Sequence, residues 1–117
     1  MTRDAETGLL SPLSLFQAAT ALSRTFGPDG ACLVVAVEAP PGGLAQTAAA
    51  LRASVGAETP VARVADMRLV ALIARRGRGD ALVAPALPGL RVGSAEWRPG
   101  EGTFEAALRA AETAAAS

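Results

Sequence analysis

Residues 61–73 read VARVADMRLVALI: two apolar runs, 61–64 and 69–73, separated by a break so short that only a hairpin can join them. The break carries one acid, Asp66, and one base, Arg68. Two adjoining antiparallel strands in mid-chain exclude an all-helical domain, so the segments on either side decide which sheet fold results.

Upstream, residues 31–37 are ACLVVAV, an unbroken apolar run rich in β-branched residues, the pattern of a central strand buried on both faces. The breaker cluster at 39–43 follows, and then Leu44, Ala48, Leu51 and Val55 mark one face of a helix that Gly56 ends. Ahead of the strand, Ser11 can cap free amides and Pro12 suits the first helical position. Leu15, Ala18, Ala19, Leu22 and Phe26 then fall at helical spacing up to the stop at Gly27-Pro28. Downstream, 90–97 reads as a last strand. Thr103 caps a final helix with the apolar face Phe104, Ala107, Leu108, Ala111 and Ala115. Between hairpin and last strand, Asp80 opens at most a turn or two of helix, because Pro85 and Pro88 forbid more.

After the first helix the order is strand, helix, strand, strand, short helix, strand, helix. This predicts an α+β fold with a ferredoxin-like βαββαβ core: an antiparallel sheet, helices on one face, and an extra N-terminal helix. With 117 residues and no linker or repeat, residues 1–117 form a single domain.

Composition removes several classes of function. Formal net charge is zero, which leaves no electrostatic footprint for nucleic acid or an acidic membrane surface. No apolar run reaches membrane-spanning length and no signal region follows Met1, so a cytoplasmic location is expected. All eleven basic residues are Arg; with neither His nor Lys, the commonest general base and the Schiff-base nucleophile are absent. Cys32, inside the apolar strand, reads as a buried thiol that cannot form a disulfide within the chain.

Asp4-Ala5-Glu6-Thr7-Gly8-Leu9 resembles the Asp-x-Leu-Thr-Gly-Leu opening of the GGDEF family, the diguanylate cyclases. In that family a helix, a strand and a helix lead to an Arg-x-Gly-Gly-Asp-Glu-Phe hairpin, then to a strand with Ser-x-Gly-x-Ala and an Ala-rich last helix. Here Arg63 precedes the hairpin, Arg91-Val92-Gly93-Ser94-Ala95 resembles the late strand, and 103–112 looks like the final helix. The likeness runs through nearly the whole chain in order. It implies a GGDEF/nucleotide-cyclase-like fold in which the motif begins a few residues after Met1, with no room before it for a sensor domain.

The same likeness implies that the chemistry has gone. Cyclisation of two GTP molecules needs divalent metals to neutralise phosphate charge, and such metals need carboxylate oxygens. In register, the signature becomes Ala65-Asp66-Met67-Arg68-Leu69, so a thioether and a guanidinium replace the acidic pair. Met67 is a poor ligand for Mg²⁺, and Arg68 sets a fixed positive charge where the family holds a cation. On the first strand the family's Asp-x-Asp is matched by Ala36 and Glu38, which leaves Glu38 as a lone acid. The family's Phe-Lys segment and Asn-Asp pair have no counterpart in 39–43, where roughly a turn or more of helix is missing. The Arg-x-x-Asp feedback site for cyclic di-GMP is replaced by 56–59, Gly-Ala-Glu-Thr.

Plainer readings compete at several residues. An Asp beside a tight turn, like Asp66, commonly serves the local amides. Arg75, Arg76 and Arg78, with Gly77 and Gly79, offer residual anion or nucleotide contacts or simply a solvated loop. Trp97 suits either a partner surface or cover for the sheet edge. The small residues of the last helix allow packing on its own sheet or on a second subunit.

The expectation is a non-catalytic GGDEF-like domain that needs no metal or cofactor and acts as a protein-interaction or regulatory module in bacterial signalling, through a protein partner or as a homodimer. Nucleotide binding is not expected. Two other readings stay open. One is a nucleotide or cyclic di-GMP sensor without turnover, built on Asp66, Arg68 and the Arg75 to Arg78 loop. The other is an unrelated ferredoxin-like dimerisation module, for which absence of the helix before the first strand would speak.

Overall fold

A computed structural model of the chain describes residues 3–25, 30–75, 84–98 and 100–116, with the Arg75 side chain excepted. The first helix, α1 (Pro12–Ser23), starts where its cap dictates: the Ser14 amide donates to Ser11 Oγ at 3.2 Å, and Pro12 occupies the first turn. It ends earlier than the apolar spacing predicts. The Thr20 and Ser23 hydroxyls donate to the carbonyls of Phe16 and Thr20, and the Arg24 amide closes on Ala21 in a tightened last turn. Phe26 and the Gly27-Pro28 stop lie outside the described residues.

The strand β1 (Ala31–Glu38) is the centre of the molecule, with every residue from 31 to 37 buried. The helix α2 (Leu44–Val55) follows and ends at Gly56, whose φ of +91° an L side chain tolerates poorly. The hairpin consists of β2 (Val61–Ala65) and β3 (Arg68–Arg75), each slightly longer than its apolar run. Arg63 faces Leu69 and Ala65 faces Arg68, so Val64 is an extra, bulged residue. No described non-glycine residue has positive φ; Asp66-Met67 is therefore not the mirror-image turn whose twist matches that of the strands in two-residue hairpins, and the bulge takes up the mismatch. The strand β4 (Arg91–Trp97) and the helix α3 (Phe104–Ala116) complete the chain, and the Ala106 amide donates to Thr103 Oγ1 at 3.2 Å.

The sheet order is β2-β3-β1-β4 with every neighbouring pair antiparallel, the ferredoxin-like arrangement expected from the element order. A helix does precede the first strand. One expectation is corrected: the helices do not share a face of the sheet. Cys32, Val34 and Ala36 point toward α1 and α3, whereas Leu33, Val35 and Val37 point toward α2. The reason lies in β1 itself, because seven consecutive buried residues need cover on both sides, and each fully buried Val or Leu contributes about 1.5–3 kcal/mol. The short helix expected from Asp80 falls mostly outside the described residues. Of that connection, Ala84, Leu87 and Leu90 pack beside α2 without forming a helix.

The helix α3 approaches β4 unusually closely. A Cβ added at Gly93 would lie 2.2 Å from both the Ala111 carbonyl oxygen and the Ala115 amide nitrogen, so only glycine admits the small-residue stripe of α3. Trp97 is 7% exposed and packs on Phe104 at 5.4 Å between ring centroids, with its indole N–H donated to the Gly102 carbonyl at 3.1 Å. It closes the end of the core.

Candidate functional site

The register of the sheet brings three charged side chains into one row. Arg68 begins β3, Glu38 ends β1 and Arg91 begins β4; Glu38 is the cross-strand partner of both arginines. All three project on the side of the sheet that carries α1 and α3, since each lies in step with the core residues of that face. From α3, Glu112 reaches the same row.

Arg68 gathers both acids. Its Nε donates to Glu38 Oε1 in a short contact, and its Nη1 donates to Glu112 Oε2 at 2.8 Å. The guanidinium and the two carboxylates are each about a quarter exposed, at 28%, 24% and 27%. The hydrogen bond that Arg68 donates to Glu112, then the one it donates to Glu38, holds its pKa above the ordinary value, so the cation is permanent. Arg91 is exposed and, among the described residues, makes no side-chain hydrogen bond or ion pair.

A cleft of about 460 Å³ opens beside this row. Glu38, Arg68 and Arg91 form its polar wall, and Pro40, Pro41, Leu90 and Ala116 its apolar one. Pro40 and Pro41 have no amide hydrogen, and the Ala39 amide is donated to the Met67 carbonyl at 2.7 Å. The segment leaving β1 therefore offers the cleft no backbone donor from 39 to 41.

The remaining hairpin positions disperse. Leu69 is fully buried and Met67 packs against the core on the α2 side. Ala65 and Asp66 are exposed, and Asp66 serves the turn through its carbonyl rather than its carboxylate: Arg63 donates to Asp66 O from Nη2 at 2.8 Å and from Nε at 3.2 Å. Arg68 turns to Glu38 and Glu112, and Arg75 ends the same strand seven residues on, roughly 23 Å away at about 3.3 Å per residue. Arg76, Arg78 and the Arg75 side chain lie outside the described residues.

Arg63 anchors a second cluster on the opposite face. Its Nη1 meets Asp4 Oδ1 at 3.2 Å and Glu6 Oε1 at 3.3 Å. Asp4 Oδ2 also accepts the Thr7 hydroxyl at 2.7 Å and the Thr7 amide at 2.9 Å, and these bonds lower its pKa. Leu10 then bridges Ala62 in parallel, with the Leu10 amide donated to Val61 O and the Arg63 amide to Leu10 O, both at 3.0 Å. The Asp-x-x-Thr-Gly opening is thus a strap that locks the N-terminal segment onto the outer edge of β2.

Beside residues 56–59, Arg52 donates to the carbonyls of Gly56 at 3.0 Å and Thr59 at 2.5 Å, closing the end of α2. Burial pushes the Cys32 thiol up to about 12, and it stays an inert core group.

A divalent cation of the kind a GGDEF centre employs does not fit this donor set. The Glu38 and Glu112 carboxylates are both already ion-paired to Arg68, and among the described residues no three His, Cys, Asp or Glu side chains converge. The partnership was only half legible in sequence: Glu38 stood out as a leftover acid, but its partner did not. The available signal was Glu112, one helical turn beyond the buried Leu108 and so on the border of the sheet-facing stripe.

No protein-family model and no curated protein matches the sequence. Among solved structures the chain is similar to the GGDEF domain of FimX from Pseudomonas aeruginosa, with a TM-score of 0.71 and 17% sequence identity. The match covers 99% of this chain and 92% of that one. The chain therefore has the fold of a GGDEF domain, as the resemblance implied.

Proposed function

We propose that this is a non-catalytic GGDEF-fold domain that works as a protein-interaction or regulatory module in bacterial signalling. One observation carries the reading: at the signature position where a cyclase needs a carboxylate for metal, Arg68 holds Glu38 and Glu112 in two ion pairs. The guanidinium supplies internally the positive charge that a metal would bring, and it cannot exchange, accept a phosphate oxygen into its coordination sphere or activate a hydroxyl. No helix among the described residues is long and apolar enough to cross a membrane, in keeping with a cytoplasmic setting.

Incubation of the chain with GTP and Mg²⁺ or Mn²⁺, followed by chromatography of the nucleotides, is the test. The expected result is unchanged GTP; formation of cyclic di-GMP overturns the proposal.

A further inference from the structure

The sheet has two edges, β2 and β4, and the chain treats them differently. β2 is bulged at Val64 and covered by the strap, since Leu10 accepts the Arg63 amide and donates its own to the Val61 carbonyl. β4 has neither bulge nor proline, the devices that commonly blunt an edge, and its register with β1 runs unbroken from Cys32–Trp97 to Glu38–Arg91.

Ladder parity fixes which backbone groups β4 presents. The Ala39 amide bonds the Met67 carbonyl and so continues the β1–β3 ladder; odd-numbered residues of β1 therefore bond β3, and even-numbered ones bond β4. The partners of those even residues are 91, 93, 95 and 97, which leaves the N–H and C=O of Val92 and Ser94 pointing out of the sheet. No described residue bonds them there.

Beside this edge a groove of about 450 Å³ lies between β4 and α3. Ala95 and Trp97 line it from the strand, and Ala106, Ala107 and Ala110 from the flank of the helix turned away from Glu112. On its rim Arg98 is ion-paired to Glu96 at 2.6 Å and Glu101 stands beside them, so the groove has no excess of positive charge.

The helix α3 decides what can occupy the edge. A second copy paired antiparallel through β4 about a two-fold axis would set the strands about 4.8 Å apart with both α3 helices on the same face. Yet α3 lies directly on β4, close enough that a Cβ at Gly93 would strike the Ala111 and Ala115 backbone, and helix axes need about 8–10 Å. The second helix does not fit. A single extended segment brings no helix. Its carbonyls and amides meet the opposite partial charges of the Val92 and Ser94 backbone, and alternate side chains enter the alanine-walled groove. An apolar β-branched side chain suits that groove, whereas a carboxylate would face Glu101 with no unpaired cation beside it.

We propose that the β4 edge takes up an extended, apolar segment of a protein partner as an added strand, held by the backbone of Val92 and Ser94. The proposal rests on the protein-interaction reading above and names the surface and the kind of partner.

The test is amide hydrogen exchange of the full chain, read by NMR, with the capped peptide acetyl-Thr-Val-Thr-Val-Thr-amide and its fully N-methylated counterpart, which lacks the N–H donors. The first peptide should protect the Val92 and Ser94 amides saturably, and the second should not. Ser94→Pro removes an N–H that the β1 ladder does not use, so the fold should stand while binding weakens about tenfold, read at Val92. Ala110→Glu, at an exposed position, places a charge in the groove without touching the edge and should weaken binding as well. No protection in the parent chain, equal protection by the N-methylated peptide, or undiminished binding by Ala110→Glu overturns the proposal. Protection that rises with protein concentration alone also overturns it, since a second copy would then be the occupant. Each of these failures leaves the non-catalytic reading standing, because that reading falls only if GTP is converted to cyclic di-GMP.

Discussion

Arg68 and Glu112 are 44 residues apart in the chain and 2.8 Å apart in space, and their ion pair ties the hairpin strand β3 to the C-terminal helix α3. Glu38 completes the contact from β1, so one guanidinium joins three elements. Because these groups are about a quarter exposed, water screens them and the gain is moderate. Arg68→Ala leaves two carboxylates facing each other and is expected to cost about 1–2 kcal/mol, with Glu112→Gln costing about half of that. Urea denaturation of the single and double variants checks this; strict additivity would show that Arg68 and Glu112 are not coupled.

Charge reversal at the same place has a sharper signature. Arg68→Glu would bring three carboxylates together, from Glu38, Glu112 and the new side chain, and their repulsion should lower Tm by about 5–10 °C. Mn²⁺ should restore Tm progressively with concentration in the variant and leave the parent chain unchanged, since only the variant presents an oxygen-lined cation site. Thermal melts with EDTA and with graded Mn²⁺ measure it. No metal response in the variant would mean that the side chains do not converge as described.

The sheet was legible in the sequence because its signals are local: seven apolar residues in β1, two runs too close to be anything but a hairpin, and Ser11-Pro12 as a helix start. The side of the sheet each helix covers was not, since an apolar stripe shows that a helix packs without showing on which face. The unbroken run from 31 to 37 did carry that information, because a strand buried on both faces excludes helices on one face alone. The candidate site was legible only in its losses. Arg68 was visible as a base in a metal-ligand position, but its partners lie 30 and 44 residues away and depend on strand register and helix rotation. Arg63 and Asp4, separated by 59 residues, met for the same non-local reason, although the resemblance had marked the segments that hold them.

Gly93 is the position where added bulk should do most damage. A methyl group there would overlap the α3 backbone at 2.2 Å, and backbone held by helical hydrogen bonds on one side and the sheet on the other has little room to yield. Gly93→Ala should destabilise the domain by about 3 kcal/mol or more, at the upper end of overpacking costs. Its neighbour Ser94 is exposed, so Ser94→Ala should be close to neutral. Equal denaturation midpoints for the two variants would contradict the close approach of α3 to β4.

The N-terminal strap should come off in acid. Asp4 accepts two bonds from Thr7 and two from Arg63, and its pKa in the folded chain lies below the ordinary aspartate value. A carboxyl with a lowered folded pKa contributes stability that is complete above the unfolded pKa and lost as pH falls through the folded one. The strap should therefore hold as pH drops to about 3.9, the ordinary aspartate value, and release only below it. Hydrogen exchange at the Leu10 and Arg63 amides, which bond across the strap, reports the release directly. Asp4→Asn removes the titration: those amides should exchange faster than in the parent at neutral pH and show no further loss of protection across the acid range. If they stay equally protected in Asp4→Asn, the backbone bridge between Leu10 and Ala62 holds the strap without help from the ion pair.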